Sequence, residues 1–358
     1  MPWKQFIQSN LRQLKFIGCR GNDFLISDPL LHQLEQRVTR LSEIDVVIRW
    51  PWDEDPDQEA KISPERMTTF LGSIQHTLER FRWSNLRGMS QAAFKILSSC
   101  SRLESLDSIY IKDFWVGNED FASCPRFPHL KELRGCPMSD RTLQSLLPSL
   151  GKIESLWMGT IEGSASLWPI VAKARFAYLS SLKMLLDSDV ILCADEILSF
   201  AHCHPQLQTF DIRGCDVVLY RDVLMGNSFN DTAIIALAKC LPKLRNLRLT
   251  CFDETQGPLG EDSLISLGYH CPLLETCCLY TNVDWRRVLS EEFSDLVWPK
   301  LHRLRLEAYR INREPAGKPR ELQDASEPRR LLLPRMPAMR HSSAWLIDHG
   351  KPVIQSDR

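Results

Sequence analysis

Asn230-Asp-Thr-Ala-Ile-Ile-Ala-Leu-Ala-Lys-Cys-Leu-Pro-Lys-Leu-Arg-Asn-Leu-Arg-Leu249 carries two periodicities in one short stretch. Its first half places Ala233, Ile234, Leu237, Ala238 and Leu241 at three- and four-residue spacing, which predicts one apolar face of a helix. Asn230 or Asp231 supplies the side-chain oxygen that caps an orphan backbone N–H at the helix start. Pro242 has no N–H to continue the helix and ends it. Leu244, Leu247 and Leu249 then switch to the spacing of a short strand. Successive side chains of a strand point to opposite faces, so Leu247 and Leu249 face the helix while Asn246 and Arg248 face away.

The strand half of this unit, Leu-x-x-Leu-x-Leu, recurs along the chain about eleven times, at intervals of 23 to 37 residues. Leu301/Leu304/Leu306 is a clean copy. Leu11/Leu14/Phe16, Leu41/Ile44/Val46, Leu78/Phe81/Trp83, Ile153/Leu156/Met158, Leu207/Phe210/Ile212 and Leu274/Cys277/Leu279 are softer ones. Leu103/Leu106, Leu130/Leu133 and Leu182/Leu185 keep two positions of three. The helical half recurs from Met89 to Leu103, from Ser139 to Pro148 and from Gly260 to Leu274. A supersecondary unit repeated at such intervals buries its apolar face against its neighbours, not in a single closed core. The predicted fold is an α/β solenoid, a curved horseshoe with parallel strands on the concave face and helices outside. It spans residues 1–310 as one repeat domain.

These units resemble the cysteine-containing class of leucine-rich repeats, which couples Leu-x-x-Leu-x-Leu-x-x-Cys to a capped helix ending in Cys-Pro-x-Leu. Leu207 to Cys215, Asp231 to Leu249 and Cys271-Pro272 carry the likeness. It covers about residues 11–310 and is strongest from 200 to 306. This repeat class is common in F-box proteins, the substrate-receptor subunits of SCF-type ubiquitin ligases, and the irregular repeat lengths look like fungal members. The resemblance thus implies a protein-protein interaction scaffold and, more specifically, a substrate receptor docked through a Skp1-like adaptor. No F-box precedes Leu11, so that role implies an F-box upstream or one separately encoded. A plain scaffold without a ubiquitin role is the first alternative, and a GTPase-activating repeat protein the second.

Bulk composition narrows the choice. The 358 residues carry a net charge of −1, which gives no electrostatic support for general nucleic-acid or membrane binding. Their hydrophobic fraction of 44% is that of a folded domain. No apolar run reaches the roughly 18 residues of a membrane span, and Met1 to Phe6 does not open a signal peptide. The 12 cysteines include Cys100, Cys203, Cys240 and Cys271, each three or four residues before a strand-starting Leu. Cys19 and Cys215 each lie eight residues after one. Fixed places in a repeat are expected of small buried hydrophobes, and without a secretion signal the thiols read as reduced, in a cytosolic or nuclear protein.

Phosphate loops, dinucleotide fingerprints, zinc-protease motifs and nucleophile elbows are absent from the sequence. The expectation is therefore a non-enzyme with no catalytic residue, no cofactor and no metal. His202-Cys203-His204 would aim two imidazoles the same way if extended. It occupies the position where other repeats end a helix, which makes it a repeat cysteine with polar flanks. Asn230-Asp-Thr232 fits a glycosylation pattern, but capping explains the asparagine better.

Three stretches fall outside the repeat grammar. Trp50 to Glu59 holds two prolines and five acids. It reads as an insertion, either merely solvated or meeting a basic partner. Arg221 to Ser228 reads as a loop on one rim. From 311 to 358 the repeat stops and a Pro/Arg-rich tail is expected to be disordered, with Glu327 to Arg335 either a docking peptide or simple extension. An open solenoid end needs a cap, and Trp3, Phe6 and Ile7 are the residues available for a minimal lid.

A protein partner would meet the strand positions that face away from the helices. Of these, Arg80, Arg82, Glu132, Arg134, Trp157, Asp211, Arg248, Arg303 and Arg305 are the candidate partner-binding residues. Trp157 is either an interface anchor, since binding hot spots favour Trp, Tyr and Arg, or a residue packed against the loop that follows it. Arg80 and Arg82 with Arg134, and Arg248 with Arg303 and Arg305, form either basic patches or ordinary solvated strand charge. Glu43 and Asp45, Ser105 and Asp107, and Thr276 and Cys278 also occupy outward positions, as do Met184 and Leu186 in an uncertain register.

Overall fold

The computed structural model describes residues 11–18, 27–48, 62–83, 89–107, 127–160, 167–186, 193–214, 230–250, 259–280, 285–288, 293, 295, 298–307, 347–348 and 351–352. The acidic insertion, the Arg221–Ser228 loop, the N-terminal lid, Cys19 and Cys215 lie outside these. So does the tail, apart from Ile347–Asp348 and Lys351–Pro352, which pair antiparallel. The chain divides into two units, residues 1–161 with 176–178, and residues 162–175 with 179–358.

In the first unit six strands lie in chain order: β1 (Gln13–Gly18), β2 (Glu43–Ile48), β3 (Arg80–Trp83), β4 (Ser105–Asp107), β5 (Glu132–Met138) and β6 (Ser155–Thr160). Every adjacent pair is parallel. Helices α1 (Asp28–Arg37), α2 (Pro64–Ile74), α3 (Gln91–Ser99) and α4 (Asp140–Leu146) alternate with them. The second unit repeats the grammar. Its strands are β7 (Ser181–Leu186), β8 (Thr209–Gly214), β9 (Asn246–Thr250), β10 (Thr276–Tyr280) and β11 (Arg303–Glu307). Its helices are α5 (Leu167–Lys173), α6 (Ala194–Cys203), α7 (Asp231–Cys240), α8 (Glu261–His270) and α9 (Trp285–Val288). Its strands are parallel and again in chain order. The fold is thus the expected α/β repeat architecture, an open parallel sheet with intervening helices.

The repeat word produces this order because each of its leucines has a structural task. Leu244, Leu247 and Leu249 are buried, as are Leu41, Ile44 and Val46 and Leu78, Phe81 and Trp83. Between the first and second leucine the chain joins the preceding repeat by a forked hydrogen bond. The N–H groups of Arg245 and Asn246 both donate to the Gln208 carbonyl, at 2.8 and 2.9 Å, and those of Glu275 and Thr276 both donate to that of Arg245. The same fork joins Glu79 and Arg80 to Ser42, and Glu104 and Ser105 to Glu79. Satisfying these backbone groups repeat by repeat sets the strand register, and with it the side chains that stand beside one another.

Helix starts follow the expected capping. The Asn230 side chain accepts from the Ala233 N–H at 3.2 Å, Ser90 from Ala93 at 3.1 Å and Ser139 from Thr142 at 3.2 Å. Asp231, the other candidate cap, instead reaches the next repeat and accepts from the Gly260 N–H at 2.8 Å. Asp28 does the same for Ser63, at 2.9 Å.

Three strand expectations need correction. In β7 Leu179, Leu182, Met184 and Leu186 are buried while Lys183 is exposed, so the word begins at Leu179. Met184 and Leu186 face the core, and Ser181 and Lys183 take the outward positions. In β5 the lost third apolar position is recovered one residue later. The register slips between Leu133 and Cys136, Gly135 adopts φ 56°, and Cys136 is buried opposite Met158. A bulge of this kind inserts one residue, and glycine accepts the left-handed conformation without Cβ strain. In β10 Cys278 is buried, although its place in the word assigned it to the outward face.

Two of the four helix-end cysteines, Cys100 and Cys271, follow their expected buried role. Cys100, Cys136, Cys271, Cys277 and Cys278 are buried free thiols. The Cys271 thiol donates to the carbonyls of Leu241 (3.5 Å) and Ala238 (3.6 Å), which end the helix of the preceding repeat. Burial pushes the Cys100 and Cys271 thiols up to about 12. Cys203 departs from the pattern, being exposed, and Cys240 is half-buried. His204 is fully buried, stacked on Phe200 and bonded through Nδ1 to the Phe200 carbonyl at 2.7 Å, whereas His202 is exposed. The two histidines do not converge. Among the described residues no group of three or more His, Cys, Asp or Glu is placed to hold a metal ion. No helix there is long and apolar enough to cross a membrane.

Candidate functional site

The strand face opposite the buried leucines presents aligned rows of polar side chains, because parallel register stacks equivalent repeat positions about 4.8 Å apart. In the first unit one row runs Gln13, Glu43, Arg80, Ser105, Glu132, Ser155. The row beside it runs Lys15, Asp45, Arg82, Asp107 and Arg134, and β6 adds Trp157 beyond the β5 bulge.

Charges in these rows alternate across strands. Lys15 pairs with Asp45 at 3.5 Å, and Arg80 with Glu43 at 3.6 Å. Arg82 lies between Asp45, at 3.8 Å, and Asp107, at 3.5 Å. Glu132 accepts from Arg134 at 2.8 Å and from the Ser105 hydroxyl at 3.0 Å. Arg80, Arg82 and Arg134 therefore do not make a basic patch, since each stands beside a carboxylate that neutralises it. Exposed pairs of this kind contribute little to stability. Their effect is to fix a pattern of alternating charge on a rigid sheet.

Trp157 is 37% exposed at this face, a large apolar side chain in an otherwise polar row. Its alternative, packing against the loop that follows, concerns residues 161–166, which lie outside the described residues.

The second unit is built differently. By register, Lys183, Asp211, Arg248, Cys278 and Arg305 form one row, and Ser181, Thr209, Asn246, Thr276 and Arg303 the other. Asp211 is only 6% exposed, so it is not the freely available acid its position suggested. Arg213, two residues along its own strand, clasps it with two hydrogen bonds, Nε to Oδ1 at 2.7 Å and Nη2 to Oδ2. That bond holds the Arg213 guanidinium above its usual pKa. Bidentate arginine–carboxylate pairs are strong and geometrically specific.

The consequence falls on Arg248, the cross-strand neighbour of Asp211. Its Nε is buried with no hydrogen-bond acceptor, and among the described residues Arg248 makes no ion pair. Arg303 is exposed on β11 and likewise has no ion pair there. Arg305 is placed by its backbone opposite Cys278. Of the second arginine group, Arg248 and Arg303 thus make no ion pair among the described residues, and the acid of outward parity on β9, β10 and β11 is Glu307, at the end of β11. Arg213 was missed because the repeat word counts only two outward positions. Its signal was its parity, two residues past Asp211.

No family model matches the chain, and no curated protein does either. Among solved structures, a chain in the crystal structure of the Rad7 and Elc1 complex in yeast is similar. The match covers 91% of this chain and 82% of that one, with a TM-score of 0.52 and 15% sequence identity. At that identity the likeness is one of fold.

Proposed function

We propose that this chain is a protein-protein interaction scaffold that holds a protein partner on the outward face of its parallel strands. The observation that carries the reading is the pair of registered polar rows that each unit presents opposite its buried side chains, with Trp157 exposed on the first. Such a surface is rigid, extended and chemically varied, which suits recognition of another folded or extended protein. The reading assigns the chain no reaction, cofactor or metal.

The finer proposal is that the scaffold serves as a substrate receptor in an SCF-type ubiquitin ligase, working with a Skp1-like adaptor. Two observations support it: the resemblance of the Leu207–Cys215 and Asp231–Leu249 units to repeats common in F-box proteins, and the similar fold found in a complex of Rad7 with Elc1. A cytoplasmic or nuclear location goes with this role. Fold alone does not give function, so the test is direct. The tagged full chain is purified from cells and its partners are identified by mass spectrometry, with Trp157→Ala in parallel. Stoichiometric recovery of an adaptor together with a partner that Trp157→Ala loses supports the receptor role. A partner lost by Trp157→Ala without any adaptor makes the chain a plain scaffold.

A further inference from the structure

The inference rests on the protein-binding reading and names the chemistry of one partner segment. We propose that the outward face of β9, β10 and β11 is a receptor for an acidic peptide segment, with Arg248 as the residue that takes a carboxylate.

Arg248 has a buried Nε without a hydrogen-bond acceptor and, unlike Arg82, no ion pair among the described residues. Its register neighbour Asp211 is an acid, but both Asp211 oxygens accept hydrogen bonds from Arg213. On its other side stands Cys278, a buried thiol and not an acid. The Nε of Arg248 is thus buried without an acceptor. Arg248 as a whole is half-buried, and a turn of its side chain towards the outward face would offer Nε and an Nη together to a carboxylate, the geometry in which arginine binds acids best.

The surroundings favour an acid over other ligands. Arg303 is exposed two strands away in the adjacent row, and Asn246 and Thr276 fill that row with hydrogen-bonding groups. The three strands cover two strand spacings, roughly 10 Å. That width accepts one to three side-chain carboxylates of an extended peptide crossing the strands. It is short for a nucleic acid, whose affinity comes from many phosphate contacts along a longer track.

The experiment uses the full chain and a fluorescent 12-residue peptide of alternating Asp and Glu. Its controls are the Asn/Gln counterpart and a single-stranded RNA of the same length. The acidic peptide should bind, weaken as salt is raised, and lose at least ten-fold in affinity with Arg248→Gln. Arg248→Lys should recover only part, because a single ammonium cannot make the two-point contact. Lys239→Gln, on the exposed side of α7, should leave binding unchanged. Melting temperatures of the variants check that Arg248→Gln still folds. Absence of binding, equal binding of the Asn/Gln peptide, tighter binding of the RNA, or indifference to Arg248→Gln would each overturn the proposal. The broader reading fails separately: a cellular partner retained by Trp157→Ala and by Arg248→Gln alike would contradict the strand face as a binding surface. A partner lost by Trp157→Ala alone would overturn only the acidic receptor.

Discussion

The carboxylate of Asp231, the first residue of α7, accepts a hydrogen bond from the backbone N–H of Gly260, which opens α8 one repeat later. It also accepts from the Ser263 hydroxyl. Asp28 and Ser63 form the same bridge between α1 and α2. Gly260 has no side chain to cap its own helix, whereas Ser63, bridged in the same way, also caps α2 through the Arg66 N–H. One aspartate thus stitches neighbouring repeats and satisfies an orphan helix N–H, which an isolated helix would leave to water.

This stitch predicts a local loss of stability. Asp231→Ala should cost about 1–3 kcal/mol, the penalty for leaving a partly buried donor unmade. Gly260→Ala should destabilise as well, because its Cβ would lie 2.7 Å from the Asp231 carboxylate and push it off its partner. Hydrogen exchange at the Gly260 amide reads both directly. Exchange as slow as in the unmodified chain would contradict the bridge.

Leu247 tests the inward assignment of the repeat word. It is fully buried, paired by register with Phe210 on one side and Cys277 on the other. Leu247→Asp should cost about 3–5 kcal/mol, since it leaves a cavity and buries an unpaired charge. Chemical denaturation followed by circular dichroism measures it, and an unchanged midpoint would overturn the assignment.

Much of this was legible beforehand, and the exceptions share a cause. Leu244, Leu247 and Leu249 show their direction because polar residues separate them. The run Leu182-Lys-Met-Leu-Leu186 offers apolar residues on both parities, so only packing fixed its register. The β5 bulge turns on Gly135 taking a positive φ, and glycine does so in many settings without announcing it. The balance around Arg80 and Arg82 depends on Glu43, Asp45 and Asp107, which lie 25 to 37 residues away and become neighbours only once repeats are registered. Asp211 misled for the opposite reason, since its partner Arg213 lies on its own strand.

Thiol reactivity should divide the cysteines by burial. At pH 8, a mild alkylating reagent should label exposed Cys193 and Cys203 first, and reach Cys100 and Cys271 only in denaturant. The thiolate is the reactive form, and burial holds those two near 12. Between their usual 9.0 and about 12, the unfolded thiols lose protons that the folded ones keep. Their contribution to stability is therefore complete below pH 9 and declines as pH rises through that window. Peptide mass mapping of the labelled chain checks the order.

His204 should respond to acid in the opposite sense. Burial lowers its pKa from 6.5, outweighing the bond to the Phe200 carbonyl, so the folded chain keeps the ring neutral. The unfolded chain binds that proton more readily, and stability should fall as pH drops below 6.5. Part of that fall should vanish in His204→Gln, compared by thermal melts at pH 7 and pH 5. An identical pH dependence in both chains would remove His204 from the account.

Partner recovery across a small set of variants is the most direct test of the strand-face account. Trp157→Ala should weaken binding by about 2 kcal/mol or more, as hot-spot truncations do, with only a small change in melting temperature. Lys239→Ala, on the exposed side of α7, should change neither. Partner recovery that survives both Trp157→Ala and the Arg80/Arg82 double alanine, yet is lost on deleting the residues after Asn312, would contradict the account. The repeats would then be a spacer, and the tail the part that binds.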